Sequence, residues 1–310
     1  MRDSEKMTSR ELGLVLAQQL LDVQDLHFGL WDQGLPVSMS NLGLAQQRYT
    51  NFLLEHVKGL LADRADPRIL DIGCGTGHML EQLVASGYVA DAVNPSSYLN
   101  RQVKARFPRL TAVSPVLFES TFEDMPHTEC QDHYDLLLCS ESFQYIPMPA
   151  FFEKAPVLLR SGGYVVICDF FKTDAHGDGA EGDRSFSGGH LLGQFTGLLQ
   201  DSPFQKILDI NLTPWISPNI ELLDEWLMQR LVPAASSIDR YLQDQYPRSS
   251  KVLKWLARHK LAKLKYKYLS GHRNAAMFQK YKSYRLLVLQ LAPGAPGHQG
   301  VSGKILTTNN

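Results

Sequence analysis

The stretch "RILDIGCGTGHMLEQL" (68–83) constrains the fold of this chain more than any other. An apolar strand pattern ends in Asp71, passes through Gly73, Cys74 and Gly75, and continues as a helix pattern. In a parallel sheet such a unit forms a pocket at the carboxyl edge, where glycines let a ligand approach the backbone closely. The turn lacks both the GxGxxG spacing of dinucleotide folds and the lysine of a phosphate-binding loop. Because Asp71 is an anion, the turn suits an amino or sulfonium cation better than a pyrophosphate.

From residue 68 onward, short apolar runs alternate with helix patterns, which predicts parallel βαβ units. Strands are predicted at 68–73, 88–93, within 110–120, at 133–140, 164–171 and 204–212, and at 284–291. Pro115 places the third strand at an edge or a bulge. A helix beginning at Met148 is predicted to end on the glycines at 162–163. The pattern predicts a doubly wound, mostly parallel, seven-stranded α/β sheet with a long helical insertion before the last strand.

Several motifs in order resemble class I S-adenosylmethionine-dependent methyltransferases. "LDIGCGTGHMLEQL" is similar to their first motif, and "FEDMPHTECQDHYDLLLCSESFQYI" and "FFEKAPVLLRSGGYVVICDFF" follow in the family's order. Upstream, "LHFGLWDQG" and "LAQQRYTNFLLEHV" resemble the N-terminal cap of the tocopherol and sterol branch. The resemblance covers residues 26 to about 171, and it is weaker at 186–212 and 278–291. It implies a Rossmann-like methyltransferase fold, methyl transfer, and S-adenosyl-L-methionine as cofactor.

The resemblance also assigns residues to the methionine and ribose parts of the cofactor. Gly73, Cys74 and Gly75 pass beneath the methionine part, and Asp71 orders its ammonium. Asn94, followed by Pro95, takes the place of the acid that holds the ribose hydroxyls in the family. An amide accepts one hydrogen bond and donates another, but it lacks charge-assisted strength. The alternative is a helix cap at Asn94 or Ser96.

The adenine position departs from the family in the same way. Thr121 stands where the family has an acid, while the Phe122 backbone N–H and side chain are expected to hold the ring. Glu123 is either part of this site or a solvated loop charge. After the fourth strand, Ser140 and Glu141 are placed beside the sulfonium. Glu141 is expected to bind the cofactor's ammonium, to take a proton from the acceptor, or only to cap the next helix.

The remaining candidates lie upstream and downstream of the α/β motifs. His27, Phe28 and Trp31, with Tyr49 in the next helix, are expected to cover the cofactor, and His27 is also a candidate catalytic base. The alternatives are a structural histidine at His27 and ordinary core packing for the two aromatic residues. His190, after "SFSGG", is expected to open the helix that lines the acceptor pocket and is a candidate base. No metal is predicted, because the four cysteines show no CxxC pair and no metal-ligand spacing.

Length and composition predict the organisation along the chain. With 310 residues, 44% of them hydrophobic, it suffices for one large domain or a domain with a cap. We expect a helical cap (1–66), a cofactor-binding α/β core (67–212), a substrate-covering helical insertion (213–280), a last core strand (281–292) and a disordered tail (293–310). The N-terminus lacks the apolar core of a signal peptide, and the cysteine pattern favours a reducing compartment. A cytoplasmic location is therefore expected, or one peripheral to a membrane.

Charge is distributed unevenly along the sequence. Residues 246–285 hold twelve Lys/Arg and no Asp/Glu, although the whole chain has 31 basic and 32 acidic residues. Within "KVLKWLARHKLAKLKYKYL", a helical stripe is formed by Leu253, Ala257, Leu261, Leu264 and Tyr268. Such a helix packs on its own acidic domain, rests on an anionic membrane, or meets an acidic acyl-carrier partner. Nucleic acid is disfavoured, because no RNA-binding module is recognisable.

The expected function is methyl transfer to a small, bulky, mostly apolar acceptor such as a quinone, a natural product or a lipid-like compound. Transfer to oxygen, carbon or nitrogen stays open, and the oligomeric state is not indicated. The alternatives are a carrier-protein-bound or RNA substrate, and a non-catalytic relic that binds the cofactor. The altered ribose and adenine positions favour the relic, and the basic segment favours the macromolecular substrates.

Overall fold

The computed structural model describes residues 15–294 except residues 17, 22, 33, 108–114, 127–129 and 270. Side chains at 253, 257, 260, 261, 263–265, 267 and 268 are also outside this description. The predicted stripe Leu253, Ala257, Leu261, Leu264 and Tyr268 therefore lies outside the described side chains. The predicted tail lies outside the described residues from position 295 onward.

Seven strands of the described chain share one sheet. In chain order they are β1 (Arg68–Ile72), β2 (Val89–Val93), β3 (Leu117–Phe118), β4 (Tyr134–Ser140), β5 (Leu159–Lys172), β6 (Phe204–Asn211) and β7 (Lys282–Leu291). Their order across the sheet is β3-β2-β1-β4-β5-β7-β6. The pairs β1–β2, β1–β4 and β2–β3 are parallel. The predicted doubly wound α/β sheet is confirmed, and β3, two residues after Pro115, lies at the predicted edge.

The parallel register positions the candidate site. Asp71 is level with Ala92 of β2 and with Leu138 of β4, so these three strands end at the same edge of the sheet. Strand β1 is buried from Ile69 to Ile72, and β4 is buried from Tyr134 to Cys139. Strands covered on both faces read as continuous apolar runs, which is why the sequence pattern identifies them.

Helices occupy most of the connections between these strands. They are α1 (Leu42–Leu60), α2 (His78–Ala85), α3 (Ser97–Arg106), α4 (Met148–Leu158), α5 (Leu192–Gln200), α6 (Thr213–Ile216), α7 (Pro218–Trp226), α8 (Val232–Gln245), α9 (Pro247–Leu269) and α10 (Ala275–Tyr281). Short 3-10 turns lie at Met39–Asn41, Phe143–Tyr145 and Asp183–Ser185, and a π-helix at Leu227–Leu231 joins α7 to α8. The predicted long helical stretch before the last strand is thus present.

The predicted end of helix α4 is wrong. Helix α4 ends at Leu158, and the glycines at 162–163 lie inside β5 instead of ending the helix. Leu159 is already extended, with φ −83° and ψ 140°, and its N–H donates to the Ala155 carbonyl to close the last turn. Gly163 is required within the strand, because a Cβ there would lie 2.8 Å from the Arg160 carbonyl oxygen. Gly163 therefore serves a close backbone approach in β5, and Gly162 beside it has φ +70°.

The chain divides into two compact units that are interleaved along the sequence. The first unit has the bounds Met1–His56, Cys168–Gln194 and Ile210–Leu286, and the second Val57–Ile167, Phe195–Asp209 and Leu287–Asn310. The predicted five-part division of the chain stays a prediction. In the second unit, the buried Asp135 carboxylate accepts hydrogen bonds from Arg64 Nη1 (3.2 Å), Arg160 Nη1 (2.6 Å) and the Arg68 N–H (2.9 Å). This network fixes the amino end of β4 against those of β1 and β5.

Candidate functional site

The first glycine of the turn after β1 is required by a close contact with the segment after β4. Gly73 has φ +76°, and its N–H donates to the Val93 carbonyl of β2 at 2.8 Å. A Cβ at this position would lie 2.4 Å from Ser142 Cβ. The Ser142 hydroxyl donates to the Ile72 carbonyl, which holds the two segments together. Both the backbone conformation and the lack of space therefore select glycine here.

The second glycine of the turn, Gly75, is not required by a close contact. Gly75 has φ +57°, and a Cβ built on it would meet nothing within 4 Å. The backbone at Gly75 therefore borders open space. Gly77, in the left-handed region, is the N-cap residue of α2, and its carbonyl accepts the Glu81 N–H at 2.9 Å. The turn thus combines bare backbone with a helix N-terminus, whose first N–H groups have no partner within the helix.

Asp71 is a buried carboxylate with an unsatisfied oxygen. Its side chain is 1% exposed, and Oδ2 has no hydrogen-bond partner among the described residues. Burial raises the pKa of Asp71 from 3.8 to about 7. Burial and the nearby Asp71 charge also raise the pKa of the Cys74 thiol. A buried carboxylate with one unsatisfied oxygen calls for an explanation, and a bound cation or hydrogen-bond donor supplies one. The residues present thus fit the ammonium of an amino-acid ligand.

Asn94 follows β2 directly and lies against the glycine turn. Its Nδ2 donates to the Gly75 carbonyl at 3.4 Å, and its Oδ1 accepts the Ser96 N–H at 3.4 Å. The N-cap of α3 is Ser96, whose Oγ accepts the Leu99 N–H at 3.3 Å. Of the two residues considered as caps, the structure assigns that role to Ser96. Asn94 is buried, whereas Pro95 is exposed.

The predicted adenine segment is held by local contacts. Thr121 Oγ1 donates to Asp124 Oδ2 at 2.8 Å and accepts the Asp124 N–H at 3.3 Å. Phe122 is 3% exposed, and its ring centroid lies 5.4 Å from that of Phe151. The Glu123 carbonyl accepts a hydrogen bond from Lys154 Nζ at 2.8 Å. The loop is therefore held by contacts within itself and with α4, and the roles of Thr121 and Phe122 toward adenine stay predictions.

Glu141 lies in an unusual backbone conformation after β4. Strand β4 ends at Ser140, and Glu141 has φ +52°, a region that non-glycine residues rarely adopt. The next turn has Ser142, not Glu141, as its N-cap. Backbone strain of this kind costs about 1–3 kcal/mol and clusters at functional sites. The capping alternative for Glu141 is therefore not what the structure shows, and a role for Ser140 or Glu141 at the site stays a prediction.

The candidates His27, Phe28 and Trp31 belong to the first unit. The His27 ring stacks on Tyr49 with centroids 4.3 Å apart, and its Nδ1–H donates to the Phe28 carbonyl at 2.9 Å. Phe28 makes edge contacts with Phe278 and Tyr284. Trp31 is buried in an apolar cluster that also contains Leu42, Ala45 and Leu222. These contacts agree with the structural alternatives for the three residues, and their roles toward a ligand stay predictions.

His190 also belongs to the first unit and lies before α5, which begins at Leu192. Its carbonyl accepts the Lys172 N–H at 2.7 Å, so the backbone here is tied to the end of β5. His190 therefore lies two residues before α5 begins, whereas the sequence predicted that it would open this helix. A role for His190 as a base stays a prediction.

Two features of these units are not apparent in the sequence analysis. Ser142 is the residue that closes on Gly73, and only its small size next to a strand end hints at that contact. Lys282 is 1% exposed at the start of β7, with Nζ 2.5 Å from the Gly188 carbonyl oxygen and 5.0 Å from the Phe170 ring centroid. Burial, with the charge of Lys172, lowers the pKa of Lys282 to about 8. The sequence pattern predicted that β7 begins at residue 284, whereas it begins at Lys282, so this lysine was not predicted to lie in the strand.

Comparison with known families gives a match over much of the chain. A family described as a methyltransferase domain matches residues 45–246. Two curated relatives named ubiquinone biosynthesis O-methyltransferase are similar to this chain. The relative from Nitrosomonas europaea is 25% identical over 121 residues, covering 39% of this chain and 49% of its own length. The one from Yersinia pestis is 28% identical over 124 residues, covering 40% and 47%. This chain thus spans about half the length of these relatives.

Solved structures share the fold at low sequence identity. Geranyl diphosphate C-methyltransferase from Streptomyces coelicolor, solved with Mg²⁺, geranyl-S-thiolodiphosphate and S-adenosyl-L-homocysteine, has a TM-score of 0.61 at 15% identity, over 90% of this chain and 92% of that one. The cyclopropane synthase MmaA2 from Mycobacterium tuberculosis has a TM-score of 0.59 at 15% identity, over 86% and 90%. At these identities the similarity demonstrates a shared fold.

Proposed function

Because the chain belongs to the methyltransferase-domain family, we propose that it transfers the methyl group of S-adenosyl-L-methionine to a bulky, mostly apolar small molecule. The membership confirms the predicted family and fold class, and it supports the predicted cofactor. The acceptor and the methylated atom are the finer parts of the proposal. The observation that carries the proposal is the buried Asp71 carboxylate, whose Oδ2 has no partner among the described residues, near the bare backbone of Gly75.

The residues of the second unit suit the parts of this cofactor. Asp71 offers an anion to the ammonium, and the open backbone at Gly75 leaves room for the methionine portion. Asn94, hydrogen-bonded to the Gly75 carbonyl, offers an amide to the ribose hydroxyls. An amide forms weaker hydrogen bonds there than a carboxylate. We therefore expect ribose recognition to contribute less to affinity than it does with an acid at this position.

An apolar acceptor is supported by an aromatic cluster within the first unit. Phe278 makes ring contacts with Phe28, Phe170 and Phe186, at centroid distances of 5.3–6.3 Å. Tyr284 joins the cluster through Phe28 at 6.4 Å. These rings pack on one another as core residues do, and aromatic side chains are also the usual lining of sites for apolar ligands. The relatives named for ubiquinone biosynthesis and for geranyl diphosphate agree with this class, because both compounds carry isoprenoid chains.

The chain's part in the reaction is mainly to bind and orient. S-adenosyl-L-methionine supplies an electrophilic methyl on a sulfonium, whose leaving group is a neutral thioether. Holding the acceptor in line with the methyl carbon and sulfur, and excluding water, accounts for most of the rate. A proton acceptor is needed only when the acceptor atom carries a proton, as in a phenol. Glu141 (just beyond the end of β4), His27 and His190 are the candidates for that role.

Two measurements test the proposal in sequence. Titration calorimetry with S-adenosyl-L-homocysteine is expected to give saturable binding, which Gly75→Val abolishes because its side chain fills the open space. Incubation with S-adenosyl-L-methionine and a panel of quinols, prenyl compounds and hydrophilic phenols follows, with products detected by mass spectrometry. We expect methylation of apolar members. If S-adenosyl-L-homocysteine does not bind, the cofactor assignment is refuted. If only the hydrophilic phenols of the panel are methylated, the acceptor class is refuted.

A further inference from the structure

Two consecutive helices expose large apolar side chains along their length. We call this set the α8–α9 face; it comprises Ile238, Tyr241 and Leu242 on α8 and Val252, Trp255, Leu256, Tyr266 and Leu269 on α9. Their exposures run from 38% for Leu242 to 66% for Leu256. Single exposed apolar residues are ordinary, but a group of eight on neighbouring helices marks an interaction surface.

Helical spacing places these residues in coherent rows. Ile238, Tyr241 and Leu242 are separated by three and four residues, so they share one side of α8. The same separations relate Val252, Trp255 and Leu256 on α9, and Tyr266 follows ten residues after Leu256 on the same side. An apolar row that faces a core is normally buried, whereas these residues are exposed.

Positive charge accompanies the exposed apolar rows. Residues 246–285 contain no Asp or Glu, and Arg248, Lys251 and Arg258 are exposed on α9. The Arg258 guanidinium lies 5.3 Å from the centroid of the Trp255 ring. Lys254 is paired with Asp239 of α8 at 2.8 Å, which ties the two helices together. The face therefore combines exposed aromatic and aliphatic side chains with cations that lack acidic neighbours on α9.

We propose that the α8–α9 face binds the surface of an anionic lipid bilayer. Apolar side chains of such a face enter the boundary between headgroups and acyl chains, while Lys and Arg contact the lipid phosphates. Tryptophan and tyrosine favour this boundary because each ring has an apolar body and a polar edge. At 23 residues, α9 extends about 34 Å, enough to contact many headgroups at once. No described helix is long and apolar enough to cross a membrane, so α9 would lie on the surface.

A lipid surface fits these observations better than an acidic protein does. An acidic protein would satisfy the cations but would leave most of the exposed apolar area without a partner. The proposal does not depend on methyl transfer, because membrane binding is measured without cofactor or acceptor. Its failure would therefore leave the proposed function intact.

The test is vesicle flotation with the full chain. Vesicles of phosphatidylcholine alone are compared with vesicles that also contain phosphatidylglycerol, at low and at physiological ionic strength. We expect binding to the anionic vesicles, weakening with salt, and a blue shift of tryptophan emission that Trp255→Ser removes. Absence of binding to anionic vesicles at low ionic strength would overturn the proposal.

Two pairs of substitutions separate the apolar and charged contributions. Trp255→Ser with Leu256→Ser, which leaves the charge unchanged, should weaken binding at least tenfold, while Leu44→Ser, at a position 51% exposed on α1, should leave it unchanged. Lys251→Gln with Arg258→Gln should weaken binding about 30-fold, because each cation near an anionic surface contributes about fivefold. Circular dichroism checks that the variants remain helical.

One further result would refute a membrane partner. If the apolar substitutions had no effect, and the protein bound polyglutamate or duplex DNA as strongly as vesicles, charge alone would explain the binding. The face would then be a site for an acidic macromolecule and not for lipid.

Discussion

Replacing Asp71 by asparagine should remove the pH dependence of stability that this buried acid imposes. In the folded chain its pKa is about 7, against an ordinary value of 3.8, because burial disfavours the charged form. A raised pKa in an acid means that the folded chain holds its proton more tightly than the unfolded chain does. The contribution of Asp71 to stability is therefore greatest below pH 3.8, falls as the pH rises toward 7, and levels off above that pH.

The size of the effect follows from the same two values. Each pH unit between 3.8 and about 7 costs about 1.4 kcal/mol, so ionising Asp71 in the folded chain costs about 4 kcal/mol. Asparagine keeps the shape without the charge. The variant is therefore expected to gain stability relative to the wild type as the pH rises. Between pH 5.5 and pH 8.5, the difference in free energy of unfolding between Asp71→Asn and the wild type should grow by about 2 kcal/mol.

Urea unfolding of both proteins without ligand, at several pH values, measures this difference. Other titrating groups are common to both chains, so they cancel in the comparison. Calorimetry supplies the second half of the test. Wild-type affinity for S-adenosyl-L-homocysteine should rise as pH approaches 7 and then level off, because the ionised carboxylate binds the ammonium. Asp71→Asn should bind weakly at every pH.

Asp91→Asn is the matched control. Asp91 is also buried, but its carboxylate accepts hydrogen bonds from Arg68 Nη2 (3.1 Å), the Tyr134 hydroxyl (3.1 Å) and the Val116 N–H (2.9 Å). Its substitution should destabilise the chain by about 1–3 kcal/mol, because it removes an acceptor from these three donors. Parallel stability profiles for the wild type and Asp71→Asn would refute the reasoning about Asp71.

Other substitutions test the turn, the ribose position and the buried lysine. Gly75→Ala should cost only about 1 kcal/mol of stability, yet it should weaken S-adenosyl-L-homocysteine binding. Gly73→Ala should cost about 3 kcal/mol, because its Cβ meets Ser142. Urea unfolding measures the two stabilities, and calorimetry measures the binding. Asn94→Asp should tighten binding of the same ligand about tenfold through charge-assisted hydrogen bonds, and calorimetry showing weaker binding would exclude a ribose contact. Lys282 has a lowered pKa of about 8, so wild-type stability should rise between pH 8 and 10.5, and urea unfolding of Lys282→Met should lack that rise.

Local pattern was sufficient for the elements that form the site. The apolar run ending at Asp71, the glycines after it and the helix from His78 follow from residues within about ten positions of one another. Strand and helix periodicities are properties of neighbouring residues, which is why the parallel sheet and its edge strand were predictable. The end of α4 was mispredicted because Gly163 serves a close approach to the Arg160 carbonyl inside β5.

The sequence by itself therefore determined the α/β order, the glycine turn and the family to which the chain belongs. Tertiary structure alone decided what each candidate touches. Ser142 lies 70 residues from Ile72 and closes on Gly73, and Asn94 reaches Gly75 across neighbouring strands. It also left one oxygen of Asp71 without a partner among the residues that the structure describes, and it exposed Trp255. Burial and hydrogen bonding depend on segments brought together by folding, and a linear pattern does not specify which segments meet.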